Sequence, residues 1–217
     1  MADSDDVTGR ARQRDLVRRG YDTISLAYRD DGAGAASSTE DVSRYAGWTA
    51  ELAGRLQPGA RVVDLGCGAG IPATRELASH GLKVLGVDFS AVQIRRAHQL
   101  VPAARFVQAD MTAFGLRPAS VDAVASFYAV IHLPLADQQA LFPRVRAWIR
   151  PGGYFLVVVG ASRWTGTEQY LGADMFWDHA DTATYLRWLP EAGLTPIWDR
   201  YIPEGDGGHT LILARAT

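Results

Sequence analysis

Five short apolar runs, each rich in β-branched or aromatic residues, constrain the fold of this chain more than any other feature. They are "RVVDLG" from Arg61, "KVLGVDF" from Lys83, "ARFVQAD" from Ala104, "VDAVASFYAVI" from Val121 and "YFLVVVG" from Tyr154. Runs of this length suit strands, and the fifth is apolar enough to be buried on both faces. Helical segments lie between them. "IPATRELASHG" carries Pro72 in its first turn and Gly81 at its end, and "SAVQIRRAHQL" opens with Ser90 and Gln93 at capping-box spacing. A further helix runs from about Asp137 to Ile149, interrupted by Pro143. Such alternation predicts a parallel sheet with helices on both faces and right-handed crossovers, so ligands collect at the carboxyl ends of the strands.

The flanks are less regular. From Thr8 to Tyr28 the chain is Arg-rich, with Leu16, Val17, Tyr21, Ile24 and Tyr28 at mostly helical spacing, and is expected to fold over the domain. "DDGAGAASSTED" then reads as a mobile loop, and a helix spans about Val42 to Leu56. After the fifth strand, "ASRWTGTEQYLGADMFWDH" reads as aromatic and irregular. A helix from about Asp181 to Ala192 precedes two strands near "PIWDRYI" and "HTLILAR", joined through the hairpin signal "EGDGG".

A length of 217 residues at 47% hydrophobic composition supports one sizeable core, so a single domain over 1–217 is expected. Twenty-two basic against 24 acidic residues leave a net charge of −2, which argues against nucleic acid or an anionic membrane as partner and for a small ligand. Cys67 is the single cysteine, so no intramolecular disulfide forms, and no Cys/His cluster has metal-ligand spacing. An acidic N-terminus without an apolar stretch, and no run long enough to span a bilayer, point to a cytoplasmic protein.

The first strand runs into "DLGCGAG", where Gly66, Gly68 and Gly70 alternate behind Asp64. Glycine permits positive φ and close approach to the backbone, which suggests a bound ligand. The spacing is neither G-x-G-x-x-G nor a P-loop. Asp88 ends the second strand and Asp110 the third. Three carboxylates at neighbouring strand ends repel a pyrophosphate but suit a cationic, phosphate-free adenosine. Asp88 can accept ribose hydroxyls, Asp110 an adenine amino group, and the glycine turn an amino-acid tail. That description fits S-adenosylmethionine.

With these pieces in place, the sequence resembles the class I S-adenosylmethionine-dependent methyltransferases of small-molecule type. "VVDLGCGAG", "VLGVDFS", "ARFVQADM", "VDAVASFYAVIHLP" and "IRPGGYFLVV" match the family's successive motifs over roughly residues 60 to 160. The resemblance implies a Rossmann-like α/β fold: a seven-stranded, mostly parallel sheet with an antiparallel last strand and helices on both faces. It implies S-adenosylmethionine as cofactor, with Asp64, Gly66, Cys67, Gly68 and Gly70 around the methionine portion. Asp88 would take the ribose, Phe89 and Phe127 flank the cofactor, and Asp110 and Met111 read the adenine edge. "YDTISLAY" looks like the family's lid helix, making Tyr21 and Tyr28 lid residues. The chain then divides into a helical lid (8–57), a cofactor-binding core (58–160), and a substrate-side insertion with C-terminal hairpin (161–217).

Catalytic candidates are His132, His209, Asp178 and His179; Trp164, Tyr170, Phe176 and Trp177 are candidate substrate walls. Each has a structural alternative: packing for His132 and His209, and helix capping by Asp178 or Asp181 over an aromatic core patch. Cys67 lacks an activating base and is expected to be inert. No [DN]-P-P-[YF] follows the fourth strand and no Pro-Cys pair occurs, which disfavours base and glutamine methylation. The expected activity is methyl transfer to O, N or S of a small organic acceptor, in specialised metabolism, by a monomer or homodimer. The alternatives are a cofactor-assisted cyclisation or rearrangement, a non-catalytic nucleotide binder, and a nicotinamide dehydrogenase.

Overall fold

The computed structural model describes residues 2–29 and 39–217. Most of the segment expected to be a mobile loop, residues 30–38, lies outside the described residues. Two helices come first, α1 (Ala2–Tyr28) and α2 (Thr39–Ala53). The alternating core follows: β1 (Arg61–Leu65), α3 (Ala73–Ser79), β2 (Lys83–Asp88), α4 (Ala91–Leu100), β3 (Arg105–Gln108) and β4 (Val121–Ser126). One 3-10 turn (Val130–His132) leads to α5 (Leu135–Trp148) and β5 (Ile149–Gly160). The chain then forms β6 (Trp164–Tyr170), β7 (Ala173–His179), α6 (Thr182–Glu191), β8 (Leu194–Glu204) and β9 (Gly207–Ala216).

Seven strands form one sheet in the order β3-β2-β1-β4-β5-β9-β8, with the first five parallel and β9 antiparallel to both its neighbours. The predicted architecture is thus observed. Period-2 alternation splits each strand between two cores. Val63, Val157 and Ile212 face α5 and α6, packing on Phe142, Tyr185 and Leu189. Val62, Leu156 and Leu211 face the opposite way, toward Tyr45, Leu52 and Leu77 of α2 and α3. The strand order reverses between β1 and β4, and the crevice at their carboxyl ends is where an open α/β sheet binds ligands.

Local chemistry accounts for the element ends. The Ser90 hydroxyl accepts from Gln93 N at 3.0 Å, as the capping-box spacing predicts, but the reciprocal half is replaced. Ser90 N donates to Asp88 Oδ1, and the Gln93 side chain instead accepts from the Ser25 hydroxyl. Pro72 precedes α3 as its N-cap residue rather than lying in its first turn. Pro143 sits inside α5 without ending it. The fourth strand stops at Ser126, because Tyr128 turns to φ 58 and the 3-10 turn begins.

The largest correction concerns "ASRWTGTEQYLGADMFWDH". It is a regular antiparallel hairpin, β6 on β7, closed by a two-residue turn in which Leu171 and Gly172 both have positive φ (52° and 91°). Two positive-φ residues match the twist of tight hairpins. β7 packs under α1 through Val17, Ile24, Met175 and Phe176. Gly20 makes this close approach possible: a Cβ there would lie 2.5 Å from Met175 Sδ.

Candidate functional site

The loop after β1 is tied to β2 by Gly66 N and Cys67 N, which donate to Val87 O at 2.7 and 3.1 Å. Gly66 has φ +74, and a Cβ on it would lie 2.1 Å from that of Ala129, so only glycine fits. Gly68 differs. Its φ is +53, but the direction of its absent Cβ is open space, and its N–H donates to Asp88 Oδ2 at 2.9 Å. Gly70 packs on Val101 and Phe106 and supports the loop from behind.

Asp88 therefore receives Gly68 N on one oxygen and Ser90 N on the other, leaving further lone pairs. Burial raises its pKa to about 6 against the pull of those bonds. Asp64 is buried more deeply and takes the Thr74 hydroxyl at 2.5 Å; burial, partly offset by that bond, raises it to about 7. The Cys67 thiol is pushed well up by burial and by the nearby Asp88 and Asp64 carboxyls, which leaves it no thiolate for nucleophilic chemistry.

Asp110 is more committed than its strand-end position suggests. Oδ1 accepts Thr112 N and its hydroxyl, both at 2.8 Å, and Oδ2 accepts Arg14 Nε at 3.1 Å. Arg14 also bonds Asp137, so α1 is clamped across the β3 end and α5. At its C-terminal end α1 is held by Arg96, whose Nη1 donates to Ser25 O and Oγ at 2.6 Å and whose Nη2 donates to Arg29 O. A buried cation at a helix C-terminus complements the helix dipole.

Three connected spaces open above these residues. The first, about 630 Å³ and open to solvent, is lined by Tyr21, Gly68, Asp88, Phe89, Asp110 and Met111, among others. A second, about 380 Å³, extends past Asp64, Gly66, Cys67 and Gly68. Both reach Tyr28 and Phe127. A third, broadly open to solvent, lies beyond Tyr21, Tyr28, Tyr128 and His132, which it shares with the first, and is also lined by Tyr170, Trp177 and His209. Every predicted cofactor residue except Gly70 lines the first two spaces.

The residues fit S-adenosylmethionine. Gly68 offers a cradle that a Cβ would fill, Asp88 offers free acceptor capacity, and carboxyls at three strand ends suit a cationic ligand without phosphate. S-Adenosylmethionine is the cofactor of this site.

His132 is buried, and both its ring nitrogens are occupied. Nδ1 faces the Phe176 carbonyl at 2.7 Å, which only accepts, so Nδ1 carries the proton. Nε2 then accepts the Tyr21 hydroxyl at 2.9 Å. Burial lowers the imidazole to about 4 despite the Phe176 bond, so the ring is neutral.

Four predicted positions lie away from the three spaces. Asp178 Oδ2 accepts Leu135 N at 2.8 Å, satisfying the start of α5, and Oδ1 pairs with Arg163 at 2.9 Å. His179 Nδ1 donates to Ser162 O, and its ring fills the space where Gly160 lacks a side chain. Phe176 is buried under α1, and Trp164 packs edge-on to Trp177. None of these four lines the three spaces. The residues that do line the third space and were missed include Arg29, Arg44, Tyr45, Tyr128 and Glu204. Only Glu204 carried a signal, as an acid five positions before His209 across a hairpin turn. Among the described residues no group of His, Cys, Asp and Glu could hold a metal, and no helix is long and apolar enough to cross a membrane.

A family model described as a methyltransferase domain matches residues 62–153. The chain is 37% identical over 111 residues to a trans-aconitate 2-methyltransferase of Paracidovorax citrulli, covering 50% of this chain and 42% of that one. It is 30% identical over 126 residues to a sterol 24-C-methyltransferase of Gibberella zeae, covering 55% and 32%. The chain thus spans less than half the length of either relative. Among solved structures, the 1,6-didemethyltoxoflavin-N1-methyltransferase of Burkholderia thailandensis, with 1,6-didemethyltoxoflavin and S-adenosylhomocysteine bound, superposes at a TM-score of 0.74. That match is 19% identical and covers 96% of this chain and 90% of the other, a likeness of fold.

Proposed function

We propose that this chain, whose residues 62–153 match a methyltransferase domain, is a class I S-adenosylmethionine-dependent methyltransferase that methylates a small organic acceptor held in the third space. The observation that carries this reading is the shared wall. Tyr21, Tyr28, Tyr128 and His132 border both the space above Asp88 and the space beyond it. A cofactor and an acceptor on either side of one wall are positioned for transfer between them.

S-Adenosylmethionine, when bound, supplies an electrophilic methyl on a sulfonium. The protein's part is alignment and exclusion of water. Asp88 would receive the ribose hydroxyls, Phe89, Asp110 and Met111 would border the adenine, and Asp64 with the Gly66–Gly68 turn would hold the amino-acid end. α1 serves as a cover: it brings Arg14, Val17, Tyr21 and Tyr28 over the first space and is pinned at its middle by Arg14 on Asp110 and near its C-terminus by Arg96 on Ser25. Its aromatic side chains face a site where a dry, low-dielectric environment favours methyl transfer over hydrolysis. The relatives act on a sterol and on trans-aconitate, so the acceptor class follows from this chain's own cavity rather than from theirs.

Titration calorimetry with S-adenosylmethionine, S-adenosylhomocysteine and NADH in parallel tests the premise. Micromolar binding of the first two and none of the third is expected, followed by S-adenosylhomocysteine release in an acceptor screen. Tight cofactor binding with no release from any acceptor would turn the reading toward a cofactor-assisted rearrangement. Binding of NADH alone would end it.

A further inference from the structure

The third space holds a second histidine, bonded differently from His132. His209, at the start of β9, directs Nδ1 at Glu204 Oε2 at 3.0 Å across the turn that closes the β8–β9 hairpin. Glu204 also receives the Tyr128 hydroxyl on Oε1, where Arg44 from α2 lies at 3.3 Å. Burial, which would raise this carboxyl, is outweighed by the bonds from His209 and Tyr128, and Glu204 is held below its ordinary range. An ionised carboxylate only accepts, so His209 Nδ1 carries a proton, and in the neutral ring the lone pair sits on Nε2. Nε2 has no hydrogen-bond partner among the described residues, and the residue lines the space. Besides Glu204, the neighbouring rings are Tyr128 at 5.1 Å and His179 at 6.1 Å. Tyr128 reaches Glu204 from a backbone at φ 58, a conformation a bulky residue adopts at a cost and one that clusters at functional sites.

The walls add the shape of the ligand. Tyr21 and Tyr28 meet edge to face at 5.2 Å, Tyr28 and Tyr170 at 6.2 Å, and Tyr170 and Trp177 at 5.8 Å, a continuous run of rings along one side of the space. Such a run receives a planar ring system by offset or edge contacts. An imidazole with Nδ1 held by a carboxylate and Nε2 unbonded toward the space suits an acceptor that must lose a proton to attack. A neutral amine needs no such base, whereas an aromatic hydroxyl does.

Resting on the methyltransferase reading, we propose that the acceptor is a hydroxyarene methylated on oxygen, with His209 as its general base and Glu204 as the residue that orients the base and stabilises its imidazolium. His209 Nε2 takes the hydroxyl proton. The oxygen's electron pair forms the new bond to the methyl carbon, and the sulfur–methyl bond breaks with its pair remaining on sulfur. The imidazolium that results is paired with Glu204. His132, with both nitrogens bonded, keeps Tyr21 in place and takes no part in the proton transfer.

The test uses the full chain with S-adenosylhomocysteine for binding and S-adenosylmethionine for turnover, and two probes, 2-naphthol and the more acidic 4-nitrophenol, at pH 7.5. Naphthol is expected to bind the S-adenosylhomocysteine-loaded protein and to be converted to its methyl ether. His209→Gln should keep S-adenosylhomocysteine affinity within twofold, lose about 10²-fold or more in kcat on naphthol, and lose far less on 4-nitrophenol, which is already largely ionised. Glu204→Gln should lower kcat on naphthol with little change in KM, and nitrogen-15 NMR should show the His209 ring moving away from its single Nδ1–H tautomer. Failure of naphthol to bind, binding without methylation, or equal losses on both probes in His209→Gln would overturn the proposal while leaving the methyltransferase reading in place. Failure of wild-type protein to bind S-adenosylhomocysteine would overturn that reading itself.

Discussion

Replacing Asp64 by Asn should stabilise the ligand-free protein at alkaline pH while weakening its grip on cofactor. Asp64 is 1% exposed, takes one hydrogen bond from Thr74, and has its carboxyl raised from 3.8 to about 7 chiefly by burial. A rise of that size sets a penalty of about 4 kcal/mol against the ionised form in the fold. The folded pKa lies above the unfolded one, so the group's contribution to stability is fully present below pH 3.8 and is lost as pH rises through 7. Of the whole penalty, about 2 kcal/mol accrues between pH 5 and pH 7, rising to about 3 kcal/mol by pH 8. Asp88, raised to about 6, acts with the same sign. His132, lowered to about 4, acts with the opposite sign, since its stabilisation is present above pH 6.5 and lost as pH falls through 4. Comparing the variant with wild type at each pH cancels the His132 contribution, and that of Asp88 apart from its coupling to Asp64. Urea denaturation at pH 5 and pH 8 should therefore show the variant gaining about 3 kcal/mol on wild type over that interval, whatever offset the amide itself introduces. A difference that stays constant between the two pH values refutes the assignment of a raised pKa to Asp64. In the same variant S-adenosylhomocysteine affinity should fall at least tenfold, because the ligand's ammonium group loses a carboxylate partner.

The remaining predictions separate ligand contacts from framework. Gly66→Ala should cost about 2–4 kcal/mol in unfolding free energy, since the new Cβ meets Ala129 at 2.1 Å and φ is +74, whereas Gly68→Ala should cost only about 1–2 kcal/mol yet weaken S-adenosylhomocysteine binding more than tenfold. Thermal melts and calorimetry on the pair check this; equal losses of stability would contradict the open cradle at Gly68. Asp88→Asn should weaken S-adenosylhomocysteine binding by about 1.5–3 kcal/mol through loss of charge-assisted contacts, and unchanged affinity would remove Asp88 from the site. Arg96→Met should free the end of α1, raising amide exchange at residues 24–28 while leaving β1 protected; unchanged exchange there would show that Arg14 and the β7 contacts hold the helix alone.

The sheet was legible because each of its determinants is local. A buried parallel strand shows as an apolar run, its turn as glycine, and its ligand-facing end as an acid, all within ten residues. The β6–β7 hairpin was not legible, because its turn is Leu171–Gly172 and leucine is not a residue that signals positive φ. Its strands also read badly: Trp164 to Tyr170 mix Thr, Gly and Glu on a largely exposed ribbon, without the clean alternation that marks a half-buried strand. The placement of Asp178 and His179 was hidden for a related reason. Two polar groups beside two aromatics resemble a substrate wall, but a hairpin there points them at the start of α5 and at Ser162.

The same contrast separates the two halves of the site. Asp64, Gly66, Gly68 and Asp88 belong to one β-turn-α-β unit, so their separation in the chain carries their separation in space. Glu204, Tyr128, Arg44 and Tyr21 reach the third space from β8, the turn after β4, α2 and α1, and no spacing relates them. Their contacts are made only when the C-terminal hairpin joins the sheet beside β5 and α1 lies across β7. It follows that substitutions on β7, β8 and α2 can reshape what the third space accepts without disturbing the hydrogen bonds that Asp88 makes to Gly68 and Ser90. The cofactor half is therefore the part that relatives with different acceptors can share, and the matched segment, residues 62–153, ends before β7, β8 and β9 begin.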